Sequence, residues 1–363
     1  MPVSGTHTSA ILDIRTNNSK NQKKHCKGQM RLKDIGEKKL IADYIRPLFN
    51  PAGIPESVGD DCALLSSETG EYVCISTDRV PADLIAFKLG LIDYIELGQY
   101  LAVLNISDIA ATGGTPKALL LNLAFPGDFP LKDLQDIMTG VKVASEKYGV
   151  IVVGGDLSDA NEMNLVAISV GFVPREQALL RSGARPGDKV FCSDYVGITP
   201  SAFSYFLKSD SSKPASFNAE QETLLTTNFK HPKAQVGLGR QLASSGCCTS
   251  AMDVTDGIAQ SFSEIAVSSA VGIVLQADSL PIHSVSVEIA DHYGLDLLKL
   301  VLGPGADFQL VGTLNPFHAS YAEIASQVKI IGDVVAGEGL YLKVGVNPPS
   351  VFTPEGWNYY IDQ

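Results

Sequence analysis

Acidic residues recur in this chain beside Gly, Ser and Thr. They occur as Gly59-Asp60-Asp61, Ser76-Thr77-Asp78, Asn105-Ile106-Ser107-Asp108, Gly154-Gly155-Asp156 and Asp253-Val254-Thr255-Asp256-Gly257. Carboxylate and hydroxyl oxygens are hard donors that suit Mg²⁺, which takes one or two carboxylates per ion and completes its shell with water and phosphate oxygens. Glycine beside them lets the backbone come close to a ligand. Any one cluster alone reads more readily as a turn or helix cap. Five of them on apolar frames point instead to a shared site for several ions around a triphosphate. Other chemistries lack their signatures. The six histidines form no HxH or HExxH pattern, which argues against a zinc hydrolase, and there is no GxxxxGK[ST] phosphate loop and no GxSxG elbow.

The elements that must position these residues read as alternating strands and helices. Helical spacing runs from Gly36 to Leu48, from Leu89 to Ala111, from Leu131 to Tyr148 and from Ile258 to Ala270. Strands are expected at Cys62–Leu65, Tyr72–Ser76, Ala118–Ala124, Val150–Val153, Leu165–Val173, Lys189–Ser193, Gly272–Leu275, Phe308–Thr313 and Val328–Val335. The alternation predicts an α/β layered architecture. A length of 363 residues suits two compact domains. The expected division is a disordered polar tail at 1–29, an N-terminal domain at 30–174, a charged Gly- and Pro-flanked linker at 175–186 and a C-terminal domain at 187–363.

Composition narrows the partners. The net charge of −12 argues against nucleic acid, is compatible with gathering divalent cations, and by itself says little beyond solubility. No apolar run approaches the roughly 20 residues of a membrane span, and residues 1–29 hold no apolar signal core. The six cysteines form no CxxC pair, and adjacent Cys247 and Cys248 cannot join in an ordinary disulfide, so reduced thiols in the cytoplasm are expected.

The order of the acidic clusters carries a resemblance. Met30-Arg-Leu-Lys-Asp-Ile-Gly-Glu, Val58-Gly-Asp-Asp-Cys-Ala-Leu-Leu, Ile75-Ser-Thr-Asp, Leu104-Asn-Ile-Ser-Asp-Ile-Ala-Ala-Thr-Gly-Gly-Thr-Pro, Val153-Gly-Gly-Asp, Leu180-Arg-Ser-Gly-Ala-Arg-Pro-Gly-Asp, Met252-Asp-Val-Thr-Asp-Gly-Ile and Gly305-Ala-Asp-Phe-Gln-Leu follow one another. Across roughly residues 30–360 the chain resembles the thiamine-monophosphate kinase family of the aminoimidazole-ribotide synthetase-like superfamily. The resemblance implies a two-domain α/β fold, a homodimer through the N-terminal domain, ATP and Mg²⁺ as cofactors, and phosphoryl transfer to a small phosphorylated acceptor. It implies Asp61, Ser76, Thr77, Asp78, Asp108, Asp156, Asp253 and Asp256 as metal ligands. It places Gly155, Asp156, Arg181 and Thr255 at the nucleotide, and Asp108, Asp256 and Arg181 at the reaction centre. Ala306, Asp307, Trp357 and Tyr360 fall on the acceptor side.

Two departures fall on that acceptor side. The family carries a His shortly after Ser-Thr-Asp, where this chain reads Asp78-Arg-Val-Pro-Ala-Asp-Leu-Ile-Ala-Phe87. It also carries Gly-Glu-Asp-Tyr-Glu-Leu where this chain has Gly305-Ala306-Asp307-Phe308-Gln309-Leu310, so both Glu carboxylates are replaced. The expected function is thiamine monophosphate phosphorylation or transfer to a related acceptor. The alternatives are another ATP-dependent activation within the superfamily, and a non-catalytic nucleotide-binding protein.

Overall fold

A computed structural model describes residues 31–49, 59–80, 84–208 and 217–354. The expected tail at 1–29, together with Trp357 and Tyr360, lies outside the described residues. The chain separates into a small unit, Met1–Pro51 with Asn358–Gln363, and a large unit, Ala52–Trp357. In the small unit the helical spacing around Gly36–Leu48 appears as successive helical turns, Glu37–Leu40, Ile41–Ile45 and Arg46–Phe49.

The large unit holds two sheets. In the first, β1 (Ala63–Ser66), β2 (Glu71–Arg79), β3 (Thr115–Phe125), β4 (Ile151–Asp159) and β5 (Asn164–Pro174) lie in the order β1-β2-β5-β3-β4. Two long helices serve it, α1 (Tyr94–Ala111) and α2 (Leu131–Tyr148). Strands β3 and β4 are parallel, and α2 makes the crossover that a parallel pair needs. The sequence pattern suggests that α1 begins at Leu89, but it begins at Tyr94. The reason is a capping box: Glu96 N donates to Asp93 Oδ1 and Asp93 N donates to Glu96 Oε2, each at 2.8 Å.

Strand β5 explains which face of this sheet is which. Leu165, Ala167, Ser169, Gly171 and Val173 are buried, while Val166, Ile168, Val170 and Phe172 on the alternate face are half-buried. Helix α1 packs on the buried face. It is almost wholly buried from Leu97 to Ala111, as suits a helix that is apolar nearly all round.

The second sheet contains β6 (Lys189–Cys192), β7 (Cys248–Asp253), β8 (Gly272–Gln276), β9 (Leu310–Leu314), β10 (Lys329–Val335), β11 (Gly339–Lys343) and β12 (Ser350–Val351), in the order β12-β11-β8-β10-β6-β9-β7. With it come helices α3 (Ile198–Leu207), α4 (Ala219–Lys230), α5 (Val236–Ser245), α6 (Ile258–Ser269) and α7 (Ser284–Tyr293). Strands β6 and β7 both run antiparallel to β9, so both leave the sheet at one edge, where β9 begins. Strand β8 is antiparallel to β10, which is antiparallel to β6, so β8 ends at that edge too. A shared core cluster joins α1 to the second sheet's helices through Leu97, Tyr100, Leu101, Phe229, Val285 and Phe308. Tyr100 meets Phe308 edge to face at 5.4 Å between ring centroids. Segment 175–186 is tied down at several points: Leu179 N donates to Thr112 O, Arg181 N to the Asp60 carboxylate and Ala184 N to Ser269 Oγ. Among the described residues no helix is long and apolar enough to cross a membrane.

Candidate active site

Strand alternation sorts the Ser76-Thr77-Asp78 motif. Ser76 pairs with Ser169 and Asp78 with Ala167, both buried on the helix-covered face, whereas Thr77 pairs with Ile168 on the open face. Helix α1 meets the first two. Asn105 and Asp108, three residues apart, share one side of it. Asn105 Oδ1 accepts from Asp78 N at 2.9 Å, while its Nδ2 donates to Leu101 O at 2.9 Å. Ser76 Oγ donates to Asp108 Oδ2. One strand and one helix are thereby pinned with Asp78 and Asp108 side by side.

The turn before β1 adds Asp61 and the end of β7 adds Asp253. Asp61, Asp108 and Asp253 each offer a carboxylate oxygen, and these oxygens lie within 4.8 Å of one another. Asp253 is 1% exposed and Asp108 8%. Arg181 closes the site: its Nε and Nη2 both donate to Asp61 Oδ1, at 3.0 and 2.6 Å.

Three buried carboxylates this close are costly as anions, and their acidities reflect it. Burial, then repulsion from Asp61, raises Asp253 to about 8. Burial, then Asp61, raises Asp60 to about 7. Asp61, Asp78 and Asp108 are raised too, burial being the first cause in each. Asp256 adds repulsion to both Asp61 and Asp78, so it stands within electrostatic reach of the cluster. Thr255 Oγ1 donates to Asp253 Oδ1 at 3.4 Å. Asp61 Oδ2 and Asp253 Oδ2 are buried without any hydrogen-bond partner. Orphaned carboxylate oxygens are expensive, and a divalent cation satisfies them; the donor set is all oxygen, as Mg²⁺ requires.

Other expected residues stand elsewhere. The Thr77 hydroxyl donates to Ala167 O at 3.0 Å from the open side of the sheet, away from Ser76 and Asp78. Gly155 and Asp156 lie on the edge strand β4, where Asp156 is exposed and pairs with Asn122. Gly155 comes so close to β3 that an added Cβ would sit 1.8 Å from Leu121 O, so only glycine fits. Asp307 has a different occupation. Its carboxylate accepts from Gly197 N at 2.6 Å, Thr199 N at 2.9 Å and Asn228 Nδ2 at 3.1 Å, holding the start of α3. Ala306 O accepts from Thr199 Oγ1.

Sequence reasoning gives no role to Asn105 or Asp60, and reads Gln309 only as a replaced carboxylate. Asn105 was legible as the i−3 neighbour of Asp108. The Asp60 bond to Arg181 N, 121 positions away, left no local signal. Gln309 accepts from Ser193 Oγ at 2.6 Å through its side chain and from Val254 N at 2.9 Å through its carbonyl, binding the 305–310 loop to the Asp253–Asp256 motif. Between them Phe308 is buried at φ +54°, a conformation that a bulky residue rarely adopts.

A two-sheet α/β fold with a three-carboxylate cluster beside an arginine defines a class, and comparison with known proteins agrees on it. Residues 59–173 match the family model of the AIR synthase related protein N-terminal domain. The chain is 33% identical over 310 residues to a thiamine-monophosphate kinase of Pyrococcus horikoshii, covering 85% of this chain and 91% of that one. A thiamine-monophosphate kinase of Bacillus subtilis is 31% identical over 277 residues, covering 76% and 82%. The solved structure of AaThiL complexed with AMPPCP and TMP superposes with a TM-score of 0.75 at 26% identity, over 92% of this chain and 100% of that one. This chain belongs to the thiamine-monophosphate kinase family.

Proposed function

We propose that this protein transfers the terminal phosphoryl group of ATP to thiamine monophosphate, forming thiamine diphosphate and ADP. The observation that carries the reading is the buried Asp61–Asp108–Asp253 cluster with its two orphaned carboxylate oxygens. Asp61, Asp78, Asp108, Asp253 and Asp256 would hold Mg²⁺, which when bound neutralises polyphosphate charge. Ser76 and Asn105 fix Asp108 and Asp78 through the bonds described. Arg181 presents a planar fork that suits phosphate oxygens. The acceptor phosphate is already an anion near neutral pH, so its oxygen attacks without a strong base and ADP departs. Positioning and charge neutralisation supply the catalysis. Gly155, Asp156 and Thr255 keep a proposed nucleotide role, and Trp357 and Tyr360 a proposed acceptor role. Asp307 would act on the acceptor only through the loop it holds. A related acceptor is the second reading, favoured by Ala306 and Gln309 standing where the family has Glu.

We infer further that the protein works as a homodimer in the cytoplasm. The half-buried apolar face of β5 and the exposed Ile151, Val153 and Leu157 of β4 support the first, and five unpaired described cysteines the second.

The test is incubation with ATP, Mg²⁺ and thiamine monophosphate, with products followed by mass. Thiamine diphosphate with stoichiometric ADP is expected, reduced at least about 100-fold in Asp253→Asn, since metal assistance contributes several kcal/mol. ADP formed only with another acceptor moves the assignment to the second reading. Absence of Mg²⁺–ATP binding by calorimetry overturns both.

A further inference from the structure

Tyr195 is a large aromatic residue left 45% exposed, on a loop whose flanking residues are hydrogen-bonded to neighbouring segments. Ser193 N donates to Leu310 O at 2.8 Å, Tyr195 N to Asp194 Oδ1 at 2.9 Å, Val196 N to Pro281 O at 3.1 Å and Gly197 N to Asp307 Oδ2 at 2.6 Å. The Tyr195 ring meets His283 edge to face, with 5.0 Å between centroids. His283 is fixed as well: its Nδ1 accepts from Val285 N at 3.2 Å, capping α7. With Nδ1 accepting, the neutral ring carries its proton on Nε2 and is a donor there. Asp194, next in the chain, is exposed, and its carboxylate accepts from Tyr195 N. An exposed aromatic ring on a backbone anchored at both sides suits a binding platform, because part of the entropy of ordering it is met in folding.

The topology places this platform beside the reaction centre. Leu310 of β9 pairs with Asp253 on one side and lies against Ser193 on the other. Asp253 and Ser193 are therefore two strand spacings apart, roughly 10 Å. Tyr195 lies two residues beyond Ser193 on the edge where β6, β7 and β8 all end, and Val196 bridges to Ile282, next to His283. An acceptor whose phosphate lay at the aspartates would have Tyr195 and His283 within reach along this edge.

We propose that Tyr195 and His283, with Asp194, form the subsite for the flat, cationic ring of the acceptor, in place of the carboxylate and imidazole this chain lacks at 306 and after Asp78. An aromatic face and a nearby carboxylate together favour a planar cation. This rests on the acceptor reading above, and its test uses binding as well as turnover. Wild type, Tyr195→Phe, Tyr195→Ala and His283→Asn, the last keeping a capping acceptor, are titrated calorimetrically with thiamine and with Mg²⁺–AMPPCP. Turnover of thiamine monophosphate is measured alongside.

Tyr195→Ala and His283→Asn are expected to weaken thiamine binding and raise the acceptor KM about 10-fold or more, with Mg²⁺–AMPPCP affinity and Tm unchanged, and Tyr195→Phe is expected to restore most of the loss. A purely packing role lowers Tm and leaves the acceptor KM where it was, and that result overturns the proposal. Tyr195-dependent thiamine binding without turnover upholds the subsite and sinks the kinase reading. Turnover with thiamine binding indifferent to Tyr195 and His283, or no thiamine binding at all, overturns the subsite.

Discussion

Burial and crowding by Asp61 act on Asp60 and Asp253, and that sets how the protein answers to pH. The folded state holds protons on carboxyls that the unfolded chain has released: Asp60 is raised from 3.8 to about 7 and Asp253 from 3.8 to about 8. Between those limits the folded state binds more protons than the unfolded one, so stability falls as pH rises. The stabilisation is fully present only once both forms are protonated, and it is lost as pH climbs through about 7 and 8. Metal-free protein is therefore expected to show a Tm several degrees lower at pH 8.5 than at pH 5.5. On the proposed metal role, Mg²⁺ should flatten the slope, because an ion bound by these carboxylates would take their deprotonated forms and displace the protons. Differential scanning calorimetry across pH, with Mg²⁺ and with chelator, checks it. A Tm that rises toward pH 8.5 in chelator would contradict the clustered-carboxylate account.

Helix α1 carries Asn105, Ser107 and Asp108, and its position depends on two glycines at its crossing with α2. An added Cβ at Gly98 would lie 2.0 Å from Ile137 O, and one at Gly140 would lie 1.9 Å from Ile95 O. Both obstacles are backbone, so no rotamer change relieves them. Gly98→Ala is expected to destabilise by about 1–3 kcal/mol through overpacking, and to lower turnover by moving Asp108 relative to Asp253. Gly237→Ala, near the start of α5 with nothing within 4 Å, should be neutral or slightly stabilising. Urea unfolding of the two variants separates the crossing from ordinary helix propensity. Elements of strong period were legible in the sequence: α2 runs from Leu131 to Tyr148 as its spacing predicts, and β5 alternates along its whole length. Strand β7 was not, because Cys248-Thr-Ser-Ala-Met-Asp has no apolar alternation. Its polar groups are satisfied across the sheet instead, Ser250 Oγ and Thr249 Oγ1 lying 2.7 and 2.6 Å from Thr313 Oγ1. The site divides the same way. The order of the acidic motifs brings Asp61, Asp108 and Asp253 into one group, while the period of two of a strand sets the Thr77 side chain on the face opposite Ser76 and Asp78. The bond from Arg181 to Asp61 spans 120 positions and exists only once the strands are paired.

A sheet with helices on one face and apolar residues on the other is an unfinished structure. Val166, Ile168, Val170 and Phe172 of β5 share that open face with their half-buried neighbours Val73, Ile75 and Leu120, and β4 is exposed along its whole length at the edge. A continuous apolar surface of this kind costs free energy in water and invites aggregation unless something covers it. A second copy of the chain offers the same surface, and a two-fold arrangement sets like against like. Ile168 pairs with Thr77 in β2 and with Leu120 in β3, so it lies on a central strand of the face. Ile168→Asp would bury a carboxylate without a partner at such an interface, while in a monomer it would merely stand in water. Sedimentation velocity is therefore expected to show a dimer for the wild type and a monomer for Ile168→Asp, and the wild-type Tm should rise with protein concentration where the variant's does not. Ser76 and Asp78 lie on the opposite side of the same β2 strand, so loss of the dimer should reach the carboxylate cluster through β2, lowering turnover in the monomeric variant. A variant that stays dimeric, or a wild type that sediments as a monomer, would show that something other than a second copy covers this face.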